Sequence, residues 1–237
     1  MANDLERWWK ELPIITKYLF ASSFGLTLAA NFGIINPYYI ILDFQQVFRS
    51  LEIWRLATCF FFHGRLGFSF LIHMIFLVRY GESLEKSVFA GRTADYLFFI
   101  LFGGTLLLVA SFFLNFKILG ASLIMMIIYL WSRKNPNVTM SFMFGLRFQS
   151  FYFPWVLVAF DVLMGGFPLP ELVGILVGHV YFFLQDIYPA TGGPRYLQTP
   201  QFLQNLFPAQ TYQGNNNAQQ PPNPQRQWGR GYTLGNQ

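Results

Sequence analysis

The chain has 237 residues, 54% of them hydrophobic and 20% aromatic, with 11% charged and a net charge of +5. A mean hydropathy of +0.36 excludes an ordinary soluble domain and points to a membrane-integrated protein, with room for one bundle and a tail. The lysines and arginines flank apolar blocks without forming a basic stripe, which excludes nucleic acid. Cys59 is alone, which excludes an intrachain disulfide and a cysteine-rich metal site; no metal or cofactor is expected.

Taken in order, the chain opens on an amphipathic stretch around Leu5, Glu6, Arg7, Trp8, Trp9 and Lys10, with both tryptophans suited to the headgroup level. No charged-then-apolar leader ending in a small-residue cleavage site is visible, so no removable signal peptide is expected. Residues 14–35 form the first apolar block. A long, semi-apolar loop over residues 36–65 carries Pro37, several aromatics and the pair Trp54-Arg55. An arginine at a membrane boundary satisfies several loop carbonyls through its planar fork, and a neighbouring tryptophan anchors the loop in the interface, so both are expected to be structural. The second block covers residues 66–80 and is followed by a charged loop. The third covers residues 96–114. A three-residue turn leads to the fourth, residues 118–131, and residues 132–149 make a polar loop. The fifth block, residues 151–167, is interrupted by Asp161; Pro168 and Pro170 punctuate the turn into the sixth, residues 172–184.

Three apolar runs look too short to cross a bilayer: residues 66–78, 118–131 and 172–184. At ~1.5 Å per residue each covers ~20 Å, against a hydrocarbon core of ~30 Å. Such a mismatch is met by a thinned bilayer, by snorkelling flanks or by helix ends buried in protein. The pattern points to a protein that acts on the membrane or passes something through it. Eleven basic residues fall on the N-terminal side (Arg7, Lys10, Arg79, Lys86, Arg92, Arg133, Lys134, Arg147, Arg195, Arg226, Arg230). Four fall opposite (Arg49, Arg55, Arg65, Lys117). The positive-inside rule therefore puts both termini in the cytosol.

Residues 187–237 contain no acidic residue, seven prolines and a Gln/Asn run, a composition that predicts a disordered tail over residues 189–237 behind a membrane domain of residues 1–188. Within it, Trp228, Gly229, Gly231, Tyr232 and Leu234 read as a docking peptide, with aromatic and leucine anchors and glycines that permit close backbone approach.

Among the polar residues in the blocks, Ser122 follows two small residues at a helix start, where a nucleophile beside backbone N–H groups is conceivable if a base lies in reach. The candidate bases are His73 and His179. Taken alone, a serine in a membrane helix more commonly packs or bonds its own backbone. Gly174 and Gly178 form a Gly-xxx-Gly face that should bring the fourth and sixth blocks together. Glu171 shares that face, three residues before Gly174, whereas His179 is turned about 100° away from Gly178. His179 is expected to make a packing hydrogen bond.

Six blocks, a long first loop with Trp54-Arg55, Gly81-Glu82-Ser83-Leu84-Glu85 closing the second block, and Gly174-xxx-Gly178 together resemble the rhomboid fold: an all-α, six-transmembrane bundle. Rhomboid proteases carry a Gly-x-Ser-Gly serine, a histidine three residues before the glycine pair and an asparagine twelve residues before the glutamate of the Leu-Glu pair. Here those positions hold Ser122 followed by Leu123, Glu171 and His73, so the resemblance implies the fold without the catalytic set. More closely, the chain resembles the Derlin family of rhomboid pseudoproteases. The resemblance rests on the segments Gly91-Arg92-Thr93-Ala94-Asp95-Tyr96, Ser141-Phe142-Met143-Phe144-Gly145-Leu146-Arg147-Phe148, Gly178-His179-Val180-Tyr181-Phe182 and Thr199-Pro200-Gln201-Phe202-Leu203. The string from Trp228 to Gly235 is similar to the family's SHP box. The resemblance implies a non-enzymatic factor of the endoplasmic-reticulum membrane that retrotranslocates misfolded proteins for ubiquitin-proteasome degradation. It further implies partners: a valosin-containing AAA+ ATPase, a membrane ubiquitin-ligase complex, misfolded substrates and the bilayer, and it is compatible with a homo-oligomer. The alternative is an active intramembrane serine protease using Ser122, with His73 as an improvised base. Asn137-Val138-Thr139 matches a glycosylation sequon on the cytosolic side of this topology, so no glycan is expected: wild type and Asn137→Gln should co-migrate with and without glycosidase.

Overall fold

The computed structural model describes residues 2–141, 145, 147–194 and 196–207. The amphipathic start forms α1 (Ala2–Glu11), followed by α2 (Ile14–Asn31) in the first apolar block. The first loop is not irregular: after a 3-10 turn it folds into α3 (Phe44–Arg49) and α4 (Arg55–Phe61). Helices α5 (Phe68–Ser83), α6 (Thr93–Leu114) and α7 (Gly120–Lys134) occupy the next three blocks. After a two-stranded ribbon come α8 (Phe153–Leu163) and α9 (Leu169–Phe182). Apolar runs of this length become helices because only a helix satisfies its own backbone where no water is present.

The centre of the bundle is α7. Its residues from Ser122 to Ser132 are buried, and a helix that is apolar on every face belongs inside its neighbours. Helices α5, α6, α8 and α9 surround it, and many outward-facing side chains, such as Leu101, Phe113 and Leu163, are large, apolar and exposed. Large exposed apolar area is what a lipid-facing surface requires. A satellite core of Ala30, Ile40 and Phe62 lies under the first loop. Backbone bonds from Leu42 N–H to the Lys117 carbonyl (2.8 Å) and from Leu119 N–H to the Cys59 carbonyl (2.9 Å) stitch that loop to the entrance of α7.

The structure redistributes the short spans. Helix α5 runs on through a π-turn (Leu84–Val88), and α9 continues through a second π-turn (Phe183–Ile187) into α10 (Tyr188–Ala190). The continuous run Leu169–Ala190 has 22 residues and, with Thr93–Leu114, is long and apolar enough to cross a membrane. The sixth span is thus longer than its apolar run, because its polar flank stays helical, with Asp186 accepting from Lys134 Nζ at 2.6 Å; the second, although its helix runs on to Val88, is not one of those two. The short members are α7, with 15 residues, and α8, with 11. The all-α expectation is amended by β1 (Thr139–Ser141) and β2 (Arg147–Gln149), an antiparallel ribbon pairing Met140 with Phe148. Order also extends past residue 188, the expected boundary of the membrane domain. Helix α11 (Gln201–Leu206) buries Leu203, and Thr199 Oγ1 donates to Asp95 at 2.6 Å, so the start of the presumed tail packs on α6.

One long-range cap ties the first two long helices together. Pro13 at the N-cap of α2 offers no side-chain oxygen. The missing acceptor is Glu85, 6% exposed, which takes bonds from Ile15 N–H (3.1 Å), Thr16 N–H (2.9 Å) and Thr16 Oγ1 (2.8 Å). A carboxylate at a helix N-terminus satisfies orphan donors and meets the positive end of the dipole. Gly81 makes the approach possible, since a Cβ there would lie 3.1 Å from the Thr16 side chain. Glu85→Ala removes all three bonds and leaves buried donors unpaired, so it should cost about 2 kcal/mol or more, read as a lowered thermal midpoint in detergent.

Candidate functional site

Close packing of α9 on α7 builds the site. A Cβ at Gly174 would sit 2.3 Å from the Ser122 carbonyl oxygen, and one at Gly178 would sit 3.1 Å from the Met126 carbonyl. The two glycines therefore let α9 lie directly on the α7 backbone. In this arrangement Ser122, fully buried, donates to the Pro170 carbonyl at 2.7 Å. His179 Nδ1 pairs with the Tyr129 hydroxyl at 2.8 Å. Glu171 sits in the first turn of α9, 8% exposed, and its Oε2 has no hydrogen-bond partner. Among the described residues no hydrogen bond joins Ser122 to a histidine or to Glu171. The serine is a strut between two helices.

A cavity of about 220 Å³ opens between α5, α7, α8 and α9 at the first-loop end of the bundle. Its walls are largely apolar, with Ile72, Phe76, Ile124, Met125 and Leu157 among them, and besides Ser69 three titratable side chains line it: His73, Asp161 and Glu171. At the opposite end α5 and α8 are pinned together by Phe153, whose ring lies 5.2 Å from Tyr80 and 5.7 Å from Phe76. Beyond that contact, toward the first loop, the space between the two helices is the cavity, a wedge closed at its far end by Phe153. Asp161 sits in the last turns of α8, its carboxylate against Gly166 in the turn that follows. His73 Nδ1 is unpartnered. Beside it lies His63, which sequence reasoning did not single out: its ring is 5.6 Å from that of His73, and both its nitrogens are buried without partners. Gly120 makes room for it, because a Cβ there would come within 2.6 Å of the imidazole. The spacing of Phe62-His63-Gly64 gives no sign of this pairing, which the first loop creates by folding over α7.

The first loop is organised by Arg55, which is fully buried. It pairs with Glu52, donates to the carbonyls of Tyr38 and Ile41 (2.9 Å to the latter) and lies over the Tyr38 ring. The half-exposed Trp54 donates from Nε1 to the Tyr39 carbonyl at 3.2 Å. Trp228, Gly229, Gly231, Tyr232 and Leu234 lie outside the described residues. Among the described residues, no group of histidines, cysteines or carboxylates has the arrangement of a metal site.

This bundle, with its glycine-paired helices, corresponds to a known family. A model of the Der1-like family matches residues 12–201. The chain belongs to the Der1-like family. It is 38% identical over 218 residues to Derlin-2.2 of Zea mays, covering 87% of this chain and 88% of that protein. It is 41% identical over 217 residues to the probable derlin-2 homolog of Dictyostelium discoideum, covering 89% and 85%. With human Derlin-1 the identity is 36% over 251 aligned positions, covering 99% of this chain and 100% of that protein. It is thus a Derlin homologue, from a family of multi-pass membrane proteins associated with endoplasmic-reticulum degradation.

If Ser122 is a strut, Ser122→Ala should cost about 1 kcal/mol, the net worth of one buried hydrogen bond, and lower the thermal midpoint modestly while the α7–α9 contact persists. Cysteines at Met125 and Ile175 that cross-link equally in both proteins would report the intact contact.

Proposed function

We propose that this protein is a non-catalytic, six-span rhomboid-like pseudoprotease that moves misfolded proteins from the endoplasmic reticulum to the cytosol, with both termini cytosolic. Membership of the Der1-like family supports the pathway. The single observation that carries the non-catalytic reading is the bond from Ser122 to Pro170, with Glu171 where a base would be required. A serine nucleophile needs its hydroxyl proton taken by a positioned base; here the hydroxyl already donates to a backbone carbonyl.

Substrates enter the wedge between α5 and α8, framed by the first loop. The brevity of α7 and α8, at ~22 Å and ~16 Å, favours a locally thinned bilayer and lowers the cost of passing polar segments. The tail recruits the valosin-containing AAA+ ATPase through Trp228, Gly229, Gly231, Tyr232 and Leu234, and a membrane ubiquitin-ligase complex completes the machinery. Trp54 and Arg55 hold the first loop as one rim of the wedge.

Binding through such a peptide rests on a few buried anchors. Replacing Trp228 and Tyr232 by alanine should cost ~2 kcal/mol or more each, abolishing co-purification of the ATPase while membrane insertion persists. A reporter with a cleavable transmembrane segment should remain intact in the same cells. Undiminished ATPase capture by the double variant would remove the tail's assigned role, and reporter cleavage lost on Ser122→Ala would assign an active protease.

A further inference from the structure

Two carboxylates face the wedge, and the protein does not neutralise them. Glu171 is more than nine-tenths buried with Oε2 unpartnered, and Asp161 lines the same cavity. Neither forms an ion pair among the described residues, and no lysine or arginine lines the cavity. The third polar wall, His73, likewise has a free Nδ1. Two other buried charges are paired: Glu85 has three donors, and Arg55, although its Nη2 is unpartnered, has a carboxylate and two carbonyls. Leaving a carboxylate unpaired among apolar side chains is costly. The cost falls when a cation enters on a partner that is otherwise apolar, as the rest of the wall requires.

We propose that the wedge selects membrane segments bearing a lysine or arginine near their luminal end, read by the carboxylates of Asp161 and Glu171. The inference rests on the reading of the wedge as the substrate site. Its depth follows from the fold: Asp161 in the last turns of α8, Glu171 in the first turn of α9 and Ser69 in the first turn of α5 all lie at the first-loop end. A basic residue at the opposite end of a segment would meet Phe76, Tyr80 and Phe153 instead. The cation also explains how an apolar wedge discriminates. A well-assembled membrane protein buries its basic residues against its own partners, whereas an orphaned one carries them unpaired into the lipid.

The test uses the full chain in cells whose own Derlins are deleted, with a photo-crosslinking residue at Ile72 or at Leu157. Single-span reporters carry lysine in the luminal third, lysine in the cytosolic third, or leucine or glutamate in the luminal third. The luminal-lysine reporter should crosslink and be degraded about tenfold more than the leucine one, the scale of one effective charge pairing. Asp161→Asn with Glu171→Gln, which preserves shape, should erase the preference but not capture of the leucine reporter. Equal capture of all four reporters, or a lysine preference that survives the double amide variant, overturns the charge reading and leaves the wedge as the substrate site. No reporter captured at either position removes the wedge reading itself. Should the double variant fail to accumulate, the partly exposed Asp161→Asn alone and the glutamate reporter in the wild type decide: both should lose the preference, and retention by either overturns it.

Discussion

The contact on which the rest depends is the approach of α9 to the backbone of α7 at Gly174 and Gly178. A Cβ at Gly174 would lie 2.3 Å from the Ser122 carbonyl oxygen and drive the helices apart, while one at Gly178, 3.1 Å from the Met126 carbonyl, would demand a smaller shift; a close-packed interior absorbs such changes poorly. From that contact follow the reach of Ser122 to Pro170, the pairing of Tyr129 with His179 and the placement of Glu171 at the cavity wall. The serine hydroxyl closes a helix–helix bond.

The bundle is tight on one side and open on the other. Helix α7 is enclosed, α2 is locked to α5 by the Glu85 cap, and the first loop is pinned by Arg55 and by its bonds to α7. Helix α8 is the exception. It is the shortest of the six, is held near its start by Phe153, and beyond that ring the cavity lies between it and α5. Local stability follows buried apolar contact, so the element with the least of it is the one expected to yield. A wedge between a rigid helix and a loosely held one suits a protein that must admit chains of many sequences and release them again.

Shortness also takes a different form from the one an apolar-run count gives. The polar ends of α5 and α9 remain helical through π-turns, and such bulges insert where side chains need re-aiming. Helices α7 and α8 are short in their own right. They both line the cavity.

Local patterning was enough to mark the six apolar blocks and the Gly-xxx-Gly face, because these depend on residue type at fixed spacing. Arg55 as the organiser of the first loop and His179 as a packing group were legible for the same reason: each is a polar group in an apolar setting that must find a partner. Other features were decided by chains far apart in sequence meeting in space. Glu85 caps a helix that begins some seventy residues earlier, His63 folds onto His73, and residues 199–207 dock on α6 although their composition reads as tail. Asp161 and Glu171 were visible as single acids, but only the packing of α8 and α9 against α5 and α7 makes them two walls of one cavity. Periodicity reports what a helix presents, and only packing decides what that face meets.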